Sequence, residues 1–184
     1  MKNSGLRNLT AVLSRIIEII AWACTGLLVV VSVVLTIAKD KFTSAYESGV
    51  MEGGKYTVNG VDSTEQFMES VGKGTAAWEL LPYAVLLIFT ALIFRNIYLV
   101  FRKSNTASPF SAENIKRIKN IGYLAIALPI AKMVMQVLFT LLKGSTDVML
   151  SVSLSEFVFG LVALVLAQYF AYGAQLEQDV DGLL

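Results

Sequence analysis

Four long apolar runs alternate with polar stretches along the chain, at residues 16–38, 76–101, 121–142 and 152–172. Each is long enough to cross a bilayer, because a hydrocarbon core of ~30 Å needs about 20 residues of helix rising ~1.5 Å each. The pattern predicts an all-α, polytopic membrane protein: one domain, residues 1–184, built as a bundle of four transmembrane helices. Arg95 interrupts the second run and is expected to snorkel to the nearby interface.

The polar stretches carry their own signals. The 39–75 segment is the largest, and in "KYTVNGVDS" Asn59-Gly60 lies between short β-prone flanks, as a type I′ hairpin requires. Ser63 stands three residues before Gln66, a capping-box spacing. "TEQFMESV" then predicts a short amphipathic helix, ended by Gly72 and Gly74. In the 102–120 stretch, Ser108-Pro109 is a connector and Ser111 an N-cap, with Glu113 where the helix dipole favours an acid. A helix beginning near Ala112 therefore runs unbroken into the third apolar segment, and its first two turns form a basic shoulder outside the membrane.

Helical periodicity sorts the few polar groups within the apolar runs. Gly122, Ala125, Pro129, Lys132 and Gln136 share one face of the third helix, continuing Ile115 and Ile118. Ser153, Glu156, Gly160, Ala163, Ala167 and Ala171 share one face of the fourth. Glu18, Ala21, Thr25, Ser32 and Thr36 do so in the first, while the second offers the less regular Glu79, Tyr83 and Thr90. In lipid, small residues mark helix contacts and polar ones turn inward, so Gly122, Ala125, Gly160, Ala163 and Ala167 form the expected packing face. Lys132 sits near the middle of its span, where an ammonium costs roughly 2.5–3.5 kcal/mol on insertion scales. Glu156 is the nearest acid by depth, outward of its own midpoint, so Lys132, Glu156 and Gln136 make a candidate buried polar site. Side chains lean toward the helix N-terminus, which draws Lys132 and Glu156 in opposite directions along the bundle. Such a group can serve as a proton, ion or counter-ion site, or as a polar clamp that fixes packing. Trp22 and Trp78 read as interfacial or packing aromatics.

Composition agrees with the membrane reading: 55% of residues are hydrophobic, 16% charged, and the mean hydropathy is +0.65. The net charge of +1 says little, but its distribution sets a topology. Lys2, Arg7 and Arg15 precede the first run; Arg95, Arg102, Lys103, Lys116, Arg117 and Lys119 lie between or at the edges of the second and third. The 39–75 segment offsets its four lysines with six acids. The positive-inside rule then predicts both termini and the 102–120 loop in the cytoplasm, with 39–75 as a small extracellular loop region. The first apolar run outlasts a signal peptide's and lacks a small-residue cleavage site after it, so a signal anchor is expected. Cys24 is the only cysteine and there is no histidine. No disulfide framework, metal site or cofactor is expected, and no GxSxG, HExxH, CxxC or P-loop pattern points to an enzyme.

"SPFSAENIKRIKNIGYL" and "SEFVFGLVALVLAQYFAYGAQLEQDVDGLL" together resemble a bacterial family of four-span membrane proteins of unknown function, often encoded beside a small helix-turn-helix transcription regulator. The resemblance is carried by Pro109, Phe110, Ser111, Glu113, Asn114, Lys116, Arg117 and Ile118, by the run Gly160 to Ala167, and by the acidic tail. It departs at Gln168, at Ala171-Tyr172-Gly173 and at the final Asp181-Gly182-Leu183-Leu184, where a partner contact would differ. It implies a bacterial cell membrane location and a non-enzymatic accessory or regulatory protein. The docking surface expected for a cytoplasmic regulator is Lys116, Arg117, Lys119, Glu177, Asp179 and Asp181. Two alternatives stand beside it: a bacteriocin-immunity-like protein meeting an extracellular peptide or a membrane receptor, and a small transporter or channel using Lys132 and Glu156. The lipid bilayer is a partner under each reading, and no direct nucleic-acid binding is expected.

Overall fold

The computed structural model describes residues 4–48, 57–58, 61–103, 110–142 and 154–181. These form six helices: α1 (Ser4–Ile37), α2 (Lys39–Glu47), α3 (Thr64–Gly72), α4 (Ala76–Lys103), α5 (Ala112–Leu142) and α6 (Leu154–Asp181). One antiparallel ladder joins β1 (Thr57–Val58) to β2 (Val61–Asp62), pairing Thr57 with Asp62 and Val58 with Val61. Four helices are long and apolar enough to cross a membrane, over Gly5–Ile37, Ala76–Arg102, Ala112–Leu138 and Leu154–Val180. The Asn59-Gly60 turn, the Ser108-Pro109 connector and Ser153 lie outside the described residues.

Each long helix outruns its apolar core. The 34 residues of α1 rise about 50 Å, and α6 carries its helix through the acidic tail to Asp181. At the α5 start, Ser111 Oγ accepts the Asn114 backbone N–H at 3.4 Å, a capping bond to the third residue of the helix. Ser63 differs. It precedes α3 and its carbonyl accepts the Phe67 N–H, but its side chain makes no capping hydrogen bond.

Hydroxyls on the apolar helices are mostly satisfied on their own helix. Ser32 donates to the Leu28 carbonyl at 2.8 Å, Thr36 to Ser32 at 2.8 Å, Thr90 to Leu86 at 2.9 Å and Thr140 to Gln136 at 2.9 Å. A hydroxyl bonded one turn back exposes little unmet polarity to lipid. This explains why Thr36 stays exposed, although the α1 stripe predicted it to face inward. The buried part of that stripe is Glu18, Ala21 and Thr25, and Ser14, one turn earlier, is buried with them. In α4, Tyr83 likewise lies exposed, and the buried positions are Ala76, Leu80, Ala84 and Ala91.

The chain divides into two compact units, residues 24–85 and residues 1–23 with 86–184. In the first, α2 follows α1 after a break at Ala38 (φ −105°, ψ 20°) and packs against α3. Leu35, Val71, Ala76 and Leu80 are its buried core, with Leu28, Phe42 and Phe67 against them. α3 ends in a Schellman turn: the Gly74 N–H bonds the Val71 carbonyl and the Thr75 N–H bonds that of Ser70. Gly74 takes φ +73°, the left-handed conformation this turn requires. An apolar cavity of about 320 Å³ opens among Val30, Val34, Phe42, Phe67, Met68 and Val71.

Candidate functional site

The second unit is organised by α5 and α6, which pack antiparallel through glycine. A β-carbon at Gly122 would lie 2.7 Å from the Leu164 side chain and 3.0 Å from the Gly160 carbonyl oxygen. One at Gly160 would lie 2.6 Å from Ile126 Cγ1 and 3.1 Å from the Ile126 backbone nitrogen. The two backbones are therefore in near contact, a separation only small residues allow. Ala125, Ala163 and Ala167 continue the contact as buried residues, and Pro129 is fully buried on the same α5 face. Pro129 has no N–H to give, so the Ala125 carbonyl loses its usual partner one turn back.

Further along this seam, Lys132 Nζ donates to Glu156 Oε1 in an ion pair. The opposed leaning of the two side chains does not keep them apart. In the antiparallel register set by Gly122 and Gly160, Lys132 lies beyond the level of Glu156 along α5, so the two opposed leanings bring the side chains together. About a quarter of each side chain is exposed, 29% and 25%. The second carboxylate oxygen, Oε2, is buried without a hydrogen-bond partner. Beside it lies a cavity of about 210 Å³ lined by Ile93, Ala125, Leu128, Ser155, Glu156 and Phe159. Gln136 sits one turn beyond Lys132, half-buried. The structure thus brings Lys132 and Glu156 into contact, and the site has a charge pair, an unmet acceptor and adjoining space. Among the described residues, no group of three His, Cys, Asp or Glu side chains could hold a metal ion.

The opposite end of the α5–α6 pair accounts for the motif that opens α5. Phe110 lies against Phe170, ring centroids 5.5 Å apart and tilted by 53°. Its ring also covers Gly173, where a β-carbon would stand 2.8 Å from Phe110 Cε1. Ser111 caps the helix. Glu113 pairs with Arg117 at 2.5 Å, the i,i+4 arrangement that stabilises an exposed helix turn. Asn114 is 2% exposed, and its Oδ1 has no hydrogen-bond partner. Most of this motif is therefore structural: it starts α5 and fastens that start to α6. The sequence signal for Phe110 was available, an aromatic directly before a cap residue, but its glycine partner lies 63 positions away.

The expected docking residues separate accordingly. Lys116 and Lys119 are exposed on α5, and Glu177 and Asp179 on α6. Arg117 is turned in, its side chain 15% exposed and held by Glu113. Asp181 ends α6, and its side chain lies outside the described residues.

These elements coincide with a family match. Residues 70–182, more than half of the chain, match the model described as protein of unknown function (DUF2975). The chain belongs to the DUF2975 family. The match takes in α4, α5 and α6 and the end of α3, and so contains the glycine seam, the Lys132–Glu156 pair and the Phe110 contact. It leaves α1 and α2 outside. No curated protein and no solved structure matches this DUF2975 chain.

Proposed function

We propose that this protein is a non-enzymatic accessory protein of a bacterial cell membrane that holds a cytoplasmic partner, a transcription regulator being the reading the sequence resemblance favours. In this proposal both termini and the 102–120 loop face the cytoplasm. The observation that supports it is the fastened end of α5 and α6. Both helices continue as helix beyond their apolar runs, and Phe110 packs on Phe170 and Gly173 where they do so. Lys116 and Lys119 on one helix and Glu177 and Asp179 on the other are exposed there, a fixed pattern of opposite charges. Such a pattern gives a partner specificity through charge complementarity.

The test scores membrane insertion and partner capture separately, comparing Lys116→Glu/Lys119→Glu with deletion of residues 177–184. Capture of a cytoplasmic protein, lost in both variants while insertion persists, is the expected result. Unchanged capture in both sinks the proposal, and capture of an extracellular peptide or membrane receptor instead moves the reading to an immunity-like role. Topology is checked with single cysteines in a Cys24→Ser background: Asn59 and Ser145 variants should label from outside intact cells, and Ser104 should not.

The unpartnered Glu156 Oε2 beside its cavity favours a second reading, a small transporter or channel. Buried charge in a span commonly marks a substrate or ion path. Proteoliposome flux abolished by Lys132→Met would support it.

A further inference from the structure

A group of cations on α1 and α4 plays no part in the candidate site or the docking surface. Arg15 on α1 places its guanidinium carbon 5.2 Å from the centre of the Tyr98 ring on α4, and Arg102 places its own 5.7 Å from the same ring. Arg95 precedes Tyr98 by three residues and Arg102 follows it by four, so all three share one face of α4. Arg95 and Arg102 are exposed, and among the described residues neither meets a carboxylate. Only Arg15 has an acid, Glu18 at 2.8 Å. Glu18 is 4% exposed, so it holds Arg15 from behind rather than covering its outer face. Among the described residues Glu18 is thus the one carboxylate that pairs with any of these three guanidiniums, and it pairs with Arg15 alone.

We infer that Arg15, Arg95, Tyr98 and Arg102 form a binding site for the headgroup of an anionic phospholipid. Depth is the first argument. Arg15 immediately precedes the apolar run of α1, and Arg102 immediately follows that of α4. Both therefore stand where acyl chains give way to phosphates. Chemistry is the second. A guanidinium fork matches two oxygens of a phosphodiester, which an ammonium cannot do. Tyr98 supplies an amphipathic ring of the kind that settles at headgroup level, and it holds the two forks in place by cation–π contact. The net positive charge then attracts an anionic lipid over a zwitterionic one. The inference is independent of the docking proposal, whose residues lie on α5 and α6.

The experiment uses the full chain in mild detergent, mixed with phosphatidylglycerol or phosphatidylcholine, and counts retained lipids by native mass spectrometry. Wild type should retain phosphatidylglycerol in preference. Arg102→Gln should lower that retention about fivefold, the effect of removing one basic residue from an anionic surface, and Arg95→Gln/Arg102→Gln should lower it further. Lys116→Gln/Lys119→Gln removes two charges from α5 and should leave retention unchanged. Arg15 is left intact, because its loss would strand the buried Glu18. Arg102→Lys keeps the charge without the fork and should fall between wild type and Arg102→Gln, which preserves a readout if the double variant unfolds by circular dichroism. Wild-type retention in Arg102→Gln, equal loss in the α5 variant, or displacement of the lipid by excess inorganic phosphate at fixed ionic strength would each overturn the assignment.

Discussion

The contact between α5 and α6 and the contact between α2 and α3 are made of opposite materials. Where α5 and α6 approach most closely the buried residues are Gly122, Ala125, Gly160, Ala163 and Ala167, with Asn114, Ile121 and Pro129 also buried on α5, while Val158, Phe159, Leu161, Val162 and Val165 point outward, each about half exposed. The small unit around α2 and α3 does the reverse: Val71 and Leu80 are buried with Phe42 and Phe67 packed on them, and Lys41, Glu65, Gln66, Glu69 and Lys73 face out. The solvent explains the inversion. Among lipid tails, burying a leucine gains almost nothing over leaving it exposed, so helices hold by close backbone approach and by polar bonds. Where water reaches the chain, removing apolar area from it is the main driving force. Two helix pairs in one protein thus obey the same physics and select opposite residues.

The largest break in this contrast should come from adding bulk to the glycine seam. Gly160→Val puts carbon against the Ile126 backbone, which cannot move aside, and should cost about 3 kcal/mol, read as thermal unfolding in detergent. Removing one member of the ion pair comes next. Lys132→Met or Glu156→Gln should each cost about 2 kcal/mol, less than the ~3–5 of a fully buried pair because a quarter of each side chain is exposed. The double variant should recover more than half of that loss. If it melts no higher than the worse single variant, the two side chains are not energetic partners. Val71→Ala removes buried carbon from the water-facing pair and should cost about 1.6 kcal/mol, at ~0.8 per methylene. Its effect should also shrink on cooling, as hydrophobic stabilisation does, whereas that of Gly160→Val should not. Lys73→Gln breaks only an exposed pair with Glu69 and should shift stability by less than about 0.5 kcal/mol.

Periodicity made most of this architecture legible. Long apolar runs announce their helices by length alone, and Ser111 before Ala112 marked where α5 starts. The small-residue faces of α5 and α6 were visible because glycine and alanine recur there at helical spacing. α2 was missed for a related reason: "KDKFTSAYE" carries mainly Phe42 as an apolar anchor, too little to show a period, and tertiary contact with α3 supplies the rest. Thr36 was placed inward because a hydroxyl was counted as unmet polarity, though its own helix satisfies it. The Arg15–Tyr98–Arg102 cluster was invisible for another reason. Arg15 stands 83 positions before Tyr98, on another helix, and no periodicity within one helix reports which residues of another lie opposite.

The Phe110 ring on Gly173 makes the beginning of one helix the keeper of another's end. A bulkier residue at 173 has to displace the ring, and a smaller one at 110 leaves a hollow over the glycine, so these positions tolerate change only as a pair. Gly173→Ala should therefore disturb the protein more in its native background than beside Phe110→Leu. The same coupling makes position 110 a handle. A tag or crosslink that pulls on the residues just before it would loosen the far turns of α6, where the acidic tail begins, without touching that tail.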